Sequence, residues 1–408
     1  MLAIKSLRHM LYFSRNSWVL ALSAAFWSIG GSMVNPFQPL FYYALGAPAY
    51  YIGILAAVSS ATTAVSYIVG GVIADSYGRK RIITTFSVVA AASSFIYVFI
   101  FSWPMLFIPI IVGALSGIYS PAFNATINDS VEPTMRPMAF ASFTLITTIP
   151  SIFMPYVGGL LIERFGELIG LKIGFFVSGL LGVIATLWRA RNLEETHVGN
   201  RSVKLDAISW LKETLTAYKT APSAAKKLLL YALLASMATG LSTVYVSIYV
   251  INSLRVPPPY YGILIGLSSL VTAALVLPAA GIVKRLGLRR AAVLSALFSP
   301  LSMLTFVSAA GMMDLLAWSV TGGVSGAMLS PSIQTLQGNL TTKEARGRWM
   351  GMFALVPLVG TAPFQLLSGF LYVLSPVITF AASIPFYAAA VYVLSTIDPE
   401  GRDGPSGI

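Results

Sequence analysis

Two sets of residues in this sequence could do chemistry, and neither is built to break a covalent bond. The first is the run Gly71-Val-Ile-Ala-Asp75-Ser-Tyr-Gly78-Arg79-Lys80-Arg81, which places one carboxylate close to three cations. An anion at a helix end beside three cations is expected to pair with them. Gly78 can adopt the positive φ of a tight turn, and Gly71 is expected to let another helix approach closely. The second set is uncharged and recurs at helical spacing: Asn35, Gln38 and Tyr42; Ser116, Ser120 and Asn124; Ser242, Tyr245, Tyr249 and Asn252; Ser330, Gln334 and Gln337; with Tyr119 and Gln365 as further candidates. Amide, hydroxyl and phenol groups in such stripes can hydrogen-bond a bound solute. Cysteine is absent, and His9 and His197 lie in polar segments. A thiolate site, a metal site and an intramembrane histidine relay are therefore not expected, and no cofactor is implied. No intramembrane carboxylate pair or Ser–His arrangement exists to support an enzyme.

The elements that hold these residues follow from composition. Hydrophobic residues make up 56% of the 408 and charged residues only 10%, with a mean hydropathy of +0.79. Soluble domains carry about 25% charged residues because their surface must stay wet; most of this exterior must face lipid. A spanning helix needs about 20 apolar residues. Twelve such stretches occur, at roughly 17–43, 50–74, 82–101, 105–128, 137–161, 168–188, 228–252, 259–283, 291–311, 315–338, 349–373 and 375–396. The first is too long for a cleavable signal and no small-residue cleavage pattern follows it. With both termini inside, every Lys and Arg except Arg164, Lys172 and Arg255 falls on the cytoplasmic side, Arg189 among the cations of the central loop. That asymmetry is the positive-inside pattern. It accounts for the net charge of +12 without nucleic acid, because the clusters are scattered between spans.

The long polar stretch 190–227 divides the chain into 1–189, a linker, and 228–408. Within the linker Leu205, Ile208, Leu211, Leu215 and Tyr218 recur at helical spacing, which predicts an amphipathic helix, either on the inner leaflet or merely connecting. The two flanking parts are related. YIGILAAVSS at 51–60 matches YYGILIGLSS at 260–269 in six of ten positions. At the same offset Gly78, Arg81, Gly113 and Gly117 meet Gly287, Arg290, Gly322 and Gly326. One residue later in register, Pro121, Arg136, Phe143 and Gly159 meet Pro331, Arg346, Phe353 and Gly369. The fold expected is an all-α integral membrane protein of two parallel-repeat six-helix bundles.

The segment Gly71–Arg81 resembles the signature loop of the major facilitator superfamily, G-x-x-x-D-x-x-G-R-K/R-K/R, at every defining position. The resemblance implies that Asp75 and Arg79, with Gly71, Gly78 and Arg81, belong to a charge latch at the cytoplasmic helix ends, and that Asp129 is the acidic partner of Arg79. The second copy is degenerate, with Lys284 in place of the acid and Leu288 in place of the Arg. Pro155-Tyr-Val-Gly158-Gly159 resembles the tail of the superfamily's antiporter motif, or serves only to kink and pack its helix. In the family, helices 1, 4, 7 and 10 line the cavity, which makes Asn35, Gln38, Tyr42, Tyr119, Asn124, Tyr245, Tyr249 and Gln334 candidate substrate residues, with Gln365 of the eleventh helix added to them.

With no ionisable residue near the middle of any span, the cavity is expected to be uncharged and to suit a neutral or amphiphilic solute. The function implied is secondary transport across the cytoplasmic membrane by a monomer, with export of amphiphilic compounds ahead of a facilitator or symporter for a neutral polar metabolite such as a sugar. A non-transporting membrane sensor is a minor alternative. A proton is the candidate coupling ion, through Asp75, Asp129 or the substrate itself, the alternative being transport without coupling. The expected partners are the small-molecule substrate and the lipid bilayer.

Overall fold

The structure is a computed structural model that describes residues 14–132, 136–196, 216, 218, 219, 221–340 and 346–398. For residues 72, 74, 75, 136–141, 277, 279, 280, 284, 339, 346–348 and 350 only the backbone is described. His9, His197 and most of the amphipathic stretch 205–218 lie outside the described residues.

Described residues form helices throughout: α1 (Arg15–Ala44), α2 (Ala49–Tyr77), α3 (Arg79–Val98), α4 (Trp103–Asp129), α5 (136–165), α6 (167–192), α7 (Ser223–Ser253), α8 (Pro258–Leu286), α9 (Leu288–Val307), α10 (Met312–Asn339), α11 (Arg346–Leu374) and α12 (Pro376–Ser395). Ten helical stretches are long and apolar enough to cross a membrane. One of them, Ser142–Asn192, folds back at Gly166 and so supplies α5 and α6. Helix α10, 28 residues long, falls outside the ten. The chain is thus a multi-pass membrane protein of twelve helices.

Two local breaks follow prolines. Pro39 has no N–H for the carbonyl of Asn35, and α1 is interrupted by a 3-10 turn at Asn35–Phe37. Pro121 likewise cannot reach back to Gly117, and α4 is interrupted at Ser116–Ile118. Serine and threonine inside the apolar runs bond their own helix: Ser87 to the Ile83 carbonyl, Thr126 to Ala122, Ser295 to Ala291, Ser332 to Met328. A hydroxyl satisfied this way can be buried at little cost.

Contacts divide the chain into two compact units. Unit 1 is Met1–Ala47, Thr62–Leu205 and Val250–Gly266; unit 2 is Pro48–Ala61, Asp206–Tyr249 and Leu267–Ile408. In unit 1, α1 packs along α5 and α6, and α3 packs on α4 and α6; one core cluster joins Val19, Leu20, Ile83, Ala122 and Leu193. In unit 2, α7 packs on α11 and α12, and α9 on α10 and α12, with a cluster of Leu228, Ala292, Leu336, Trp349 and Leu394. Large apolar side chains such as Phe153, at 61% exposure, and Phe370, at 58%, project outward, as helices surrounded by lipid require.

The repeat is visible in the backbone. Gly78 and Gly287 start α3 and α9 at φ 88° and 81°. Gly46 and Arg255, at the same sequence offset, both have positive φ. The repeated glycines also mark helix crossings. In unit 2 a Cβ on Gly53 would lie 2.5 Å from the Gln365 carbonyl, and one on Gly369 would lie 2.8 Å from the Tyr50 carbonyl. In unit 1 a Cβ on Gly262 would overlap the Pro155 carbonyl, and one on Gly159 would lie 2.5 Å from the Pro258 carbonyl. A Cβ on Gly158 would overlap the Met33 carbonyl. The residues of the Pro155–Gly159 motif therefore have a packing use, holding α5 against α1 and α8.

One expectation is corrected here. A Cβ on Gly71 would meet no atom within 4 Å, whereas one on Gly70 would overlap the Ile118 carbonyl; the close approach belongs to the neighbouring glycine, on the face turned to α4. Helix α6 runs to Asn192, because a helix continues past its apolar stretch as long as its carbonyls find donors.

Candidate functional site

Unit 1 presents charged groups at the N-terminus of α3. Arg79 Nη1 pairs with Asp129 Oδ2 at the end of α4, the arginine 13% exposed and the aspartate 41%. Sequence reading missed a second acid here. The Glu195 carboxylate accepts the backbone N–H groups of Arg79 at 2.9 Å and Lys80 at 3.0 Å. Two of the four orphan donors of α3 are thereby satisfied, and an anion sits at the positive end of the helix. Glu195 is held there because residues 193–196 are clamped to α1. Asn16 Nδ2 donates to the Glu194 carbonyl at 3.2 Å, the Glu194 N–H donates back to Asn16 Oδ1 at 2.9 Å, and Arg15 pairs with the Glu194 carboxylate at 2.5 Å. Replacing Glu195 with Gln should destabilise the protein by about 1 kcal/mol, read as a lower thermal-unfolding midpoint in detergent. Arg81 is exposed. Asp75 lies in the last turn of α2, its side chain outside the described residues. In the second copy Arg289 donates to the Ser395 carbonyl at the end of α12, a cation on the negative end of a helix.

Deeper in unit 1 is a cavity of about 220 Å³ lined by Ala24, Trp27, Tyr119, Ser120, Phe123, Asn124, Phe143 and Arg189. Arg189 was expected in the central loop. It is instead 1% exposed, a turn from the end of α6, with its side chain turned inward. Nε donates to Ser23 Oγ at 2.8 Å and Nη1 to Ser87 Oγ at 2.6 Å. Each serine passes its own proton to a helix carbonyl, of Leu20 and Ile83 respectively, so both hydroxyls are free to accept. The guanidinium carbon stands 5.5 Å from the Tyr119 ring centroid and 5.2 Å from that of Phe123, within cation–π range. The cavity is therefore not uncharged: a long side chain anchored near the helix end reaches where no span-by-span reading could place it. Trp27 Nε1, on the same wall, is buried without a hydrogen-bond partner.

The candidate substrate residues are distributed unevenly. Tyr119 and Asn124 line this cavity. Asn35 and Gln334 are exposed, Gln334 donating to Ser330 Oγ at 3.2 Å. The others are engaged in interior contacts. Gln38 Nε2 donates to the Tyr97 hydroxyl at 2.8 Å, which also meets Tyr42 at 3.0 Å. Tyr245 donates to the Ala49 carbonyl at 2.6 Å and stacks on Tyr372. Tyr249 packs against Phe306 and Phe380. Gln365 accepts from Ser60 at 2.8 Å.

Comparison with known proteins agrees with this architecture. A family model described as Major Facilitator Superfamily matches residues 20–250 and 228–407. An uncharacterized MFS-type transporter of Methanocaldococcus jannaschii is 23% identical over 193 residues, 47% of this chain and 49% of the relative. The quinolone resistance protein NorA of Staphylococcus aureus is 24% identical over 158 residues, 38% of this chain and 39% of the relative. The matched stretches thus span less than half of these curated relatives. The crystal structure of the nucleoside transporter NupG superposes with a TM-score of 0.76 at 13% identity, covering 93% of this chain and 98% of that one, a likeness of fold alone.

Proposed function

This chain belongs to the Major Facilitator Superfamily, and on that premise we propose that it is a secondary transporter exporting small amphiphilic solutes across the cytoplasmic membrane by alternating access, with both termini cytoplasmic. The observation that carries the reading is the cavity in unit 1. Half of its lining residues are aromatic, Trp27, Tyr119, Phe123 and Phe143, with Ser120, Asn124 and Arg189 as polar groups. Such a lining buries an apolar body and orients a polar end. Similarity to a quinolone resistance protein supports the export direction. The Pro155–Gly159 motif does not, since packing explains its residues. The Arg79–Asp129 pair, with Asp75 two turns or less away in sequence, supports a conformational latch at the cytoplasmic ends.

Purified protein in proteoliposomes should exchange a labelled lipophilic dye, faster under an imposed pH gradient. A second reading, a facilitator or symporter for a neutral metabolite, is supported by the exposed amides Asn35 and Gln334. It requires the opposite result, sugar counterflow indifferent to the gradient with no dye movement. Under that reading Asn35→Ala and Gln334→Ala should each weaken apparent sugar affinity by about fivefold or more, the value of one lost hydrogen bond, at unchanged expression.

A further inference from the structure

Arg189 is a full positive charge held inside unit 1, with no carboxylate among the described residues that line its cavity. Ser23 and Ser87, its acceptors, each lie eight residues inside the starts of α1 and α3, about 12 Å along those helices. Both serines are fully buried. Neutral hydroxyls and ring faces, with the Tyr119 phenol close by, orient a guanidinium but do not neutralise it. A buried charge without a counter-ion is costly, and its five donors exceed what two serine oxygens can accept. The wall beside it carries the unpartnered Trp27 indole N–H, a donor only, and two neutral groups that can donate or accept, the Asn124 amide and the Ser120 hydroxyl. Among the described residues that line this space, none is acidic.

Resting on the carrier reading above, we propose that Arg189 recognises an anionic group on the transported solute, so that the substrate class is an aromatic or otherwise amphiphilic organic anion with a carboxylate or comparable oxyanion. The charge seats near the guanidinium, the Trp27 N–H donates to it, and the apolar body lies on Phe123 and Phe143. Arg189 is fixed by α1 and α3 before solute arrives, so little side-chain entropy is lost on binding.

A matched probe pair tests this: dansylglycine, a carboxylate, and dansylglycinamide, its neutral amide. Energy transfer from protein tryptophan to dansyl reports binding to the purified carrier, and counterflow in proteoliposomes reports transport. Wild type should bind the carboxylate at least about tenfold more tightly than the amide. Arg189→Gln should remove that preference, and Arg189→Lys should retain part of it. Because Arg189→Gln also removes bonds to Ser23 and Ser87, Asn124→Asp gives an independent arm, placing a negative charge on the cavity wall without touching them; it should also abolish the preference in protein that stays monodisperse. Equal affinity for the two probes in wild type, failure to bind either, or a preference that survives both Arg189→Gln and Asn124→Asp overturns the assignment. If the neutral lipophilic dye is still exchanged in that case, the carrier reading stands and only the anion site is lost. Absence of exchange for every probe would instead sink the carrier reading.

Discussion

Asp129→Asn is expected to slow solute exchange about 5- to 30-fold while the protein remains folded and correctly inserted. Arg79 is mostly buried, and its Nη1 is paired with the Asp129 carboxylate; its Nε is buried without a partner, so the bond to Asp129 carries much of the guanidinium's satisfaction. Removing the negative charge leaves that cation weakly paired, at a cost of about 1–2 kcal/mol, which is the stated factor in an equilibrium between two conformations. A carrier that alternates between states is sensitive to such a bias, because a shift in population slows the cycle whichever state is favoured. Asp75→Asn should act in the same direction and abolish exchange. Counterflow measured alongside thermal unfolding separates the two effects: a lowered midpoint with normal exchange would reduce the pair to a structural anchor. The exchange of partners in Arg79→Asp with Asp129→Arg should restore part of the rate if pairing itself matters.

Gly53→Val and Gly262→Val are expected to be the most disruptive substitutions, each destabilising by about 3 kcal/mol and eliminating transport. At both positions the added carbon meets backbone, the Gln365 carbonyl in unit 2 and the Pro155 carbonyl in unit 1. A flexible side chain could turn away; a helix backbone can yield only by moving the whole helix. The two residues are equivalent in the repeat, so their effects should match in size. Gly71→Ala is the control. Open space surrounds that position, and alanine in a helix is favoured over glycine by about 1 kcal/mol, so expression and unfolding midpoint should hold or rise. Size-exclusion profiles and counterflow of the three variants decide the point; wild-type transport by Gly262→Val would refute the close crossing of α5 and α8.

Much of this protein was legible in its sequence, and for one reason. A bilayer imposes length and apolarity on every span, and the repeat imposes them twice, so composition, the twelve stretches and the 51–60 to 260–269 match suffice for the fold. Turn chemistry was legible too, since only glycine readily supplies the positive φ found at Gly78 and Gly287. What periodicity left open was the use of each polar residue. Gln38, Tyr42, Tyr245 and Gln365 had to avoid lipid, but hydrogen-bonding Tyr97, the Ala49 carbonyl or Ser60 achieves that as well as lining a cavity does. Spacing along one helix carries no record of which neighbour stands opposite.

The tertiary structure alone decided three things. Gly70 rather than Gly71 carries the helix contact, a difference of one residue that rotates the side-chain position by about 100° around the helix. Glu195 caps α3 although more than a hundred residues separate them, because Asn16 and Glu194 bind the end of α6 to the start of α1. Arg189, by composition one more cytoplasmic cation, becomes the charge of the cavity because its flexible stem lets the guanidinium lie far from its own Cα. Sequence determined which segments cross the membrane; only packing determined where the long side chains at their ends would point.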